Sequence, residues 1–263
     1  MGVGTWLRFD VPPEGEEDIG RVVRSALDHG IRFFDSSPMY GRAEAVLGRA
    51  LGSRREEAIV GTKVWTYGLA GEQAVFEGRF QFEAQLAHYG GFIDVMQVHN
   101  LAAYQDHLPW LEEERNAGRI GWIGGTHYRT DALTALVPLM DAGRLDVIGV
   151  PYNPLEAEAA DMILPLAEEQ DIGVIAMRPF AEGELLPGPD IKRLDGLGVE
   201  TWAEALLKWT LSDGRIHVVI PATRQEPHLL ANVQAAQPPW FDPDQRAFVG
   251  RLAAKYAGAS GVG

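Results

Sequence analysis

A chain of 263 residues with 37 acidic and 23 basic side chains, net charge −14 at pH 7, lacks the basic footprint that nucleic acids and anionic lipid surfaces demand. It has no cysteine, which excludes disulfides, thiolate nucleophiles and thiolate metal sites. Hydrophobic residues make up 46%, enough for one large core, yet no apolar run reaches the roughly 18 residues of a membrane-spanning helix.

Met1 leads straight into Gly2-Val3-Gly4-Thr5-Trp6, which reads as a strand and not as a signal sequence. A cytoplasmic location is the expectation, and an export leader removed ahead of this start is compatible with it. Ile19, Val22, Val23, Ala26 and Leu27 recur at helical spacing, and that helix closes on Asp28-His29-Gly30. Apolar runs then follow at residues 31–34, 58–62, 92–98, 120–125, 145–150, 172–176 and 217–220. Most are preceded by an amphipathic stretch ending on glycine, as in Asn116-Ala117-Gly118, Asp141-Ala142-Gly143 and Ser212-Asp213-Gly214. A helix stopped by a left-handed glycine and followed by a continuous apolar strand predicts a parallel sheet covered by helices. At this length, close to the ~250 residues of a (β/α)8 barrel, the repeat predicts an α/β TIM barrel as a single domain over residues 1–263. No linker divides it. Residues 179–199 break the rhythm with Gly183, Pro187, Gly188, Pro189, Gly196 and Gly198, which predicts a lid or binding loop. Thr201-Trp202-Ala203-Glu204 and Thr223-Arg224-Gln225-Glu226 read as capping boxes, and Asp242-Pro243-Asp244-Gln245 opens a terminal helix. Trp110, Trp122, Trp202 and Trp209 fall at core spacing. The tail from Gly258 onward is expected to fray.

Polar residues at the C-terminal ends of barrel strands are where such folds keep their chemistry. Asp35 ends the second strand, Tyr40 follows five residues later, Lys63 ends the third and His99 the fourth. A phenol is too weak an acid for neutral-pH work unless it is tuned, and a nearby ammonium favours phenolate. A carboxylate orients that ammonium, and an imidazole can fix a carbonyl oxygen. Read singly, Asp35 and Lys63 also fit a structural ion pair, Tyr40 an ordinary loop residue and His99 a satisfied core histidine. Trp6, Trp65 and Tyr128 suit either a pocket wall or rim packing.

The pattern Phe33-Phe34-Asp35-Ser36-Ser37-Pro38-Met39-Tyr40-Gly41, then Gly61-Thr62-Lys63, then Asp94 to Asn100 with His99, resembles the aldo-keto reductase superfamily. Val219-Ile220-Pro221-Ala222-Thr223-Arg224 with Leu229-Leu230-Ala231-Asn232 is similar to its nucleotide-phosphate and adenine segment. Gly125-Thr126-His127-Tyr128 resembles a bacterial subgroup, some of whose members carry twin-arginine export signals. The resemblance implies NADPH, with NADH possible, as hydride donor to an aldehyde or ketone, a small-molecule carbonyl substrate. It implies Tyr40 as general acid, tuned by Lys63 and Asp35, with His99 orienting the carbonyl. It implies nucleotide contacts from Thr5, Trp6, Asp35, Thr126, His127, Arg178, Pro179, Phe180, Thr223, Arg224 and Asn232, with Arg224 facing the 2′-phosphate.

The chain departs from the family pattern in places. Relatives hold the nicotinamide amide with Ser-Asn after the fifth strand and Gln on the sixth; here Thr126-His127 and Gly149 stand there. The stacking aromatic is replaced by Met177-Arg178-Pro179-Phe180, a glutamate by Ala231, and the N-terminal hairpin that plugs the barrel bottom is missing. Two other readings of the scaffold remain open at this point. One is a non-redox isomerase or epimerase, with a metal on His99, His127 and Asp35, although no resident metal is expected. The other is a nucleotide-sensing protein. No nucleic-acid or membrane partner is expected, and the sequence does not define an oligomeric state.

Overall fold

Each predicted apolar run becomes a strand. The computed structural model describes residues 1–257, so the expected fraying from Gly258 lies outside the described residues. Strands β1 (Gly2–Gly4), β2 (Phe33–Asp35), β3 (Ile59–Val64), β4 (Ile93–His99), β5 (Ile120–Thr126), β6 (Val147–Pro151), β7 (Gly173–Met177) and β8 (Val218–Val219) pair in chain order, always in parallel. Gly4 closes the ring: it bridges Ala222, and its N–H donates to Pro221 O at 3.0 Å. The result is the expected (β/α)8 barrel.

Around it lie α1 (Glu16–Asp28), α2 (Ala43–Leu51), α3 (Gly71–Tyr89), α4 (Tyr104–Asn116), α5 (Val137–Asp141), α6 (Ile163–Glu169), α7 (Trp202–Leu211), α8 (Glu226–Ala235) and α9 (Pro243–Tyr256). The apolar stripe read on α1 is its buried face. Gly30, Gly118 and Gly143 take the left-handed conformation at φ +83°, +76° and +64°, which glycine adopts without strain from a Cβ. Gly214 does not; there Asp213 makes the turn instead, accepting from Arg215 N and Nε and from Tyr152 Oη. Asp242 forms the full capping box with Gln245. Thr201 forms only half of one: its hydroxyl accepts from Glu204 N, but Glu204 Oε2 accepts from Glu200 N.

Alternate strand residues point into the barrel. At Gly61, Gly124 and Gly149 a Cβ would press on Phe33, Gln97 and Thr126 respectively. These glycines leave room for Asp35, Lys63 and Gln97 in the barrel interior. Below them Phe33, Val95, Ile175 and Ile220 form a small separate apolar cluster. Nothing among the described residues covers the N-terminal mouth, where an open cavity of about 850 Å³ is lined by Phe33, Ile59, Val95, Trp122 and Val218. Trp122 was expected in the core and is 49% exposed. Its inward-facing position falls at this uncovered end, away from the polar strand ends.

Residues 179–199 form a packed loop. Leu185, Leu194 and Leu197 are buried, and Trp202 Nε1 donates to Leu185 O at 2.7 Å. Following β7, the loop lies on the C-terminal rim, as expected.

Candidate active site

Parallel strands in register bring the four predicted polar residues together at the C-terminal mouth. Gly4 pairs with Asp35, Asp35 with Gly61 and Lys63 with Gln97. Lys63 Nζ donates to Asp35 Oδ1 and Oδ2 at 2.8 and 2.7 Å and to Ser36 O at 2.7 Å. Gln97 Nε2 donates to Asp35 Oδ1 at 3.3 Å. Tyr40 sits in a short turn (Pro38–Tyr40) capped by Ser37, whose Oγ accepts from Met39 N. That turn carries the phenol ring to 5.4 Å from Lys63 Nζ and edge-on to His99, centroids 6.0 Å apart.

Burial governs the electrostatics. Desolvation pushes the Asp35 carboxyl upward, against the pull of Lys63. Desolvation also opposes the Lys63 ammonium, but the charges of Asp35, Tyr40 and Glu44 outweigh it and hold the lysine above its usual range. The sequence argument placed Tyr40 lower because of Lys63. In the structure desolvation outweighs that attraction, and the phenol lies above its ordinary value. Burial, helped by Lys63 and His127, lowers His99 to about 3, so its ring is neutral. Ser37 Oγ accepts from Met39 N and lies 2.9 Å from His99 Nδ1. In the tautomer whose Nδ1 accepts from that hydroxyl, the ring N–H is on Nε2.

Behind this group lies a buried carboxyl that sequence reasoning missed. Glu44, on the inner face of α2, accepts from Thr62 Oγ1 and from Gln85 Nε2, and Gln85 Nε2 also donates to Lys63 O at 2.8 Å. Desolvation raises Glu44 to about 7. The available signal was a glutamate among the apolar positions of a helix, next to Ala43, Val46 and Leu47. Gln97, a polar residue inside an apolar run two places before His99, was missed in the same way.

Several of the residues expected around a nucleotide end or follow strands at this mouth. Thr5 is buried after β1 and donates to Ser36 Oγ at 2.9 Å; Trp6 is half-buried beside it. Thr126 ends β5, and the His127 ring stacks on Tyr128 at 5.7 Å. Arg178, Pro179 and Phe180 follow β7. Arg178 pairs with Glu156 and Glu182, so its guanidinium is already engaged. Thr223 does not cap a helix as expected: α8 begins at Glu226, and the Thr223 hydroxyl accepts from Gln225 N at 3.1 Å in a side-chain turn. Arg224 is exposed and makes no salt bridge among the described residues. Asn232 is buried on α8. Left-handed non-glycine residues concentrate in segments that follow strands at this rim: Leu7, Asn100, Leu101, Ala103, Arg178, Ala181 and Glu182. Such strain persists where surrounding structure over-determines it. Among the described residues no three His, Asp or Glu side chains converge to hold a metal, which removes the structural basis of a metal on His99, His127 and Asp35. No described helix is long and apolar enough to cross a membrane.

A barrel whose mouth gathers a carboxylate, an ammonium, a phenol and a neutral imidazole has the equipment of a carbonyl-handling enzyme. The model of the Aldo/keto reductase family matches residues 1–193, and the chain belongs to that family. L-galactose dehydrogenase of Arabidopsis thaliana is 28% identical over 187 residues, covering 66% of this chain and 58% of that protein. An aldo-keto reductase of Mycobacterium sp. (strain KMS) is 28% identical over 237 residues, covering 84% of this chain and 77% of that protein. Among solved structures, an aldo-keto reductase from Klebsiella pneumoniae in complex with NADPH superposes with a TM-score of 0.80 at 23% identity, over 96% of this chain and 90% of that one. The glycerol dehydrogenase of Gluconobacter oxydans gives a TM-score of 0.79 at 19% identity, over 97% and 91%. These two likenesses are of fold.

Proposed function

We propose that the chain reversibly reduces an aldehyde or ketone to an alcohol with NADPH, NADH being the alternative donor. The observation that carries this reading is the Asp35–Lys63 pair beneath the Tyr40 ring, with the neutral His99 imidazole edge-on to that ring. The mouth fits a nicotinamide nucleotide. Arg224 has an exposed cation for a phosphate, and the N-terminus of α8 lies beside it.

A bound reduced nicotinamide supplies the hydride. The remaining work belongs to the chain. His99 Nε2–H donates to the carbonyl oxygen and sets its angle. Tyr40, kept protonated by burial, releases its proton to that oxygen only as negative charge grows there. Lys63 stabilises the phenolate left behind, and Asp35 holds Lys63 in place. In the oxidative direction the same groups act in reverse, and Tyr40 takes the proton from the alcohol. Residues 1–263 act in this reading as one domain in the cytoplasm, with nucleotide and a small carbonyl compound as the ligands.

Tryptophan fluorescence quenching by NADPH, followed by a screen of simple aldehydes, tests the reading. Tyr40→Phe should bind NADPH as wild type does and lose about 10²-fold or more in kcat. Absence of NADPH and NADH binding overturns the redox reading. Turnover that survives Tyr40→Phe undiminished overturns the role of Tyr40.

A further inference from the structure

Glu44 is a buried carboxyl that the proton chemistry above does not use. It stands in the first turn of α2, the helix that follows directly on the turn carrying Tyr40. Its side chain crosses from that helix to β3. Oε1 accepts from Thr62 Oγ1, the residue before Lys63, and from Gln85 Nε2 at 3.0 Å. Gln85 Nε2 also donates to Lys63 O at 2.8 Å. Glu44 therefore pins the segment that carries the phenol to the strand that carries the ammonium. Thr62 and Gln85 are buried as well, so no water shares these bonds at low cost. A glutamine could make the same two bonds through its amide oxygen without bringing an ionisable group into the interior. What a glutamate adds is a proton that can leave. With both donors on Oε1, the proton of the neutral acid sits on Oε2.

Four ionisable groups share these surroundings: Asp35 on β2, Lys63 on β3, Tyr40 in its turn and Tyr89 on α3. Burial brings the titration of Glu44 to about 7. Once ionised, Glu44 pushes the Tyr40 phenol upward, in the same sense as Asp35 and against Lys63. We propose that Glu44 is a positioning residue that also gates proton donation by Tyr40: as a neutral acid it leaves the phenol free to release its proton, and as a carboxylate it holds that proton back. The inference rests on the reading of Tyr40 as general acid. No proton passes between the two residues; Glu44 acts through its charge alone. Reduction leaves a negative charge on the Tyr40 oxygen, and a second negative charge close to Lys63 opposes it. Reduction is thus faster on the acid side of the Glu44 titration, although Tyr40 is protonated on both sides.

The test is NMR of the protein labelled with carbon-13 at tyrosine Cζ, without nucleotide or substrate. The Tyr40 signal is assigned by its loss in Tyr40→Phe. In wild type it should shift in one step centred near pH 7. In Glu44→Gln, which keeps both bonds to Oε1, it should stay flat. The kinetic readout is the single-turnover rate of NADPH oxidation with a simple aldehyde. Wild type should slow by about 3- to 10-fold across the same step and level off, the effect of a partly developed charge facing another inside the protein. Glu44→Gln should show no step. A purely structural glutamate moves neither readout. A Tyr40 signal that stays flat in wild type overturns the inference, with or without turnover, and still decides if Glu44→Gln does not fold. So does a step that survives in Glu44→Gln, or a wild-type rate that is level across the titration. A Tyr40 step in a protein that reduces no carbonyl compound upholds the link between Glu44 and Tyr40 and overturns the reductase reading instead.

Discussion

Replacing Lys63 by methionine isolates the buried ion pair on which the site is built. The pair is almost dry, with side-chain exposures of 1% for Lys63 and 4% for Asp35. Methionine matches the lysine stem but removes the donor to Asp35 Oδ1, Asp35 Oδ2 and Ser36 O together. Asp35 keeps only Gln97 Nε2 at 3.3 Å. Removing one partner of a buried pair costs about 3–5 kcal/mol, a large share of the ~5–15 kcal/mol that holds a domain. The sign of the pH dependence follows from the desolvation that already raises Asp35. Without Lys63 only the Gln97 amide opposes that rise, so the folded carboxyl titrates above the unfolded one. A raised folded value gives stability that is full below the unfolded pKa, near 4, and lost as pH climbs. Lys63→Met should therefore be hurt most at pH 7 and least near pH 4. The double variant Asp35→Asn/Lys63→Met carries neither charge of the pair and should recover to within about 1 kcal/mol of wild type. Urea unfolding at both pH values, followed by tryptophan fluorescence, measures all three quantities. A loss under about 1 kcal/mol at pH 7, or a double variant no more stable than Lys63→Met, would refute the argument.

Glu44 makes a second pH prediction. Burial raises it to about 7, so its contribution to stability is full below its unfolded value and fades as pH rises through about 7. Wild type should lose on the order of 2–3 kcal/mol over that window relative to Glu44→Gln, which keeps the bonds to Thr62 and Gln85; parallel curves of urea midpoint against pH would contradict this. His99 is lowered to about 3, so NMR titration of its ring should show no protonation between pH 8 and about 5; a midpoint near 6.5 would show that the imidazole is solvated. Its stability contribution is present above the unfolded pKa and lost as pH falls through the folded one. Gly188→Ala drives a Cβ into the Trp202 ring at Cδ1, a ring already tied to Leu185 O. Overpacking of that kind costs about 1–3 kcal/mol, visible in thermal melts and near-ultraviolet dichroism; an unchanged melting temperature would mean that the 179–199 loop is not packed as described.

The repeat of helix, glycine and apolar run was legible residue by residue because it is local. A left-handed glycine and a continuous apolar strand are properties of neighbours in the chain, and parallel order follows from the crossover helices between them. Asp35, Tyr40, Lys63 and His99 could be named as a group because each stands at or near the end of such a run. Distances and solvation across strands were not legible. The charge of Lys63 is visible in the sequence, but the burial that outweighs it at Tyr40 arises only when β2, β3 and β4 lie side by side. Trp122 has the spacing of a core residue, and only the uncovered N-terminal mouth leaves it exposed. Arg178 looks like a free cation until Glu156, from beyond β6, closes on it. Gly149 reads as a missing side chain until Gln97 and Thr126 are seen to crowd the place of a Cβ. Periodicity within one segment therefore determined the barrel and the ends of its strands. Desolvation and convergence across strands are properties of the closed ring, and they decided the protonation states and the shape of the site.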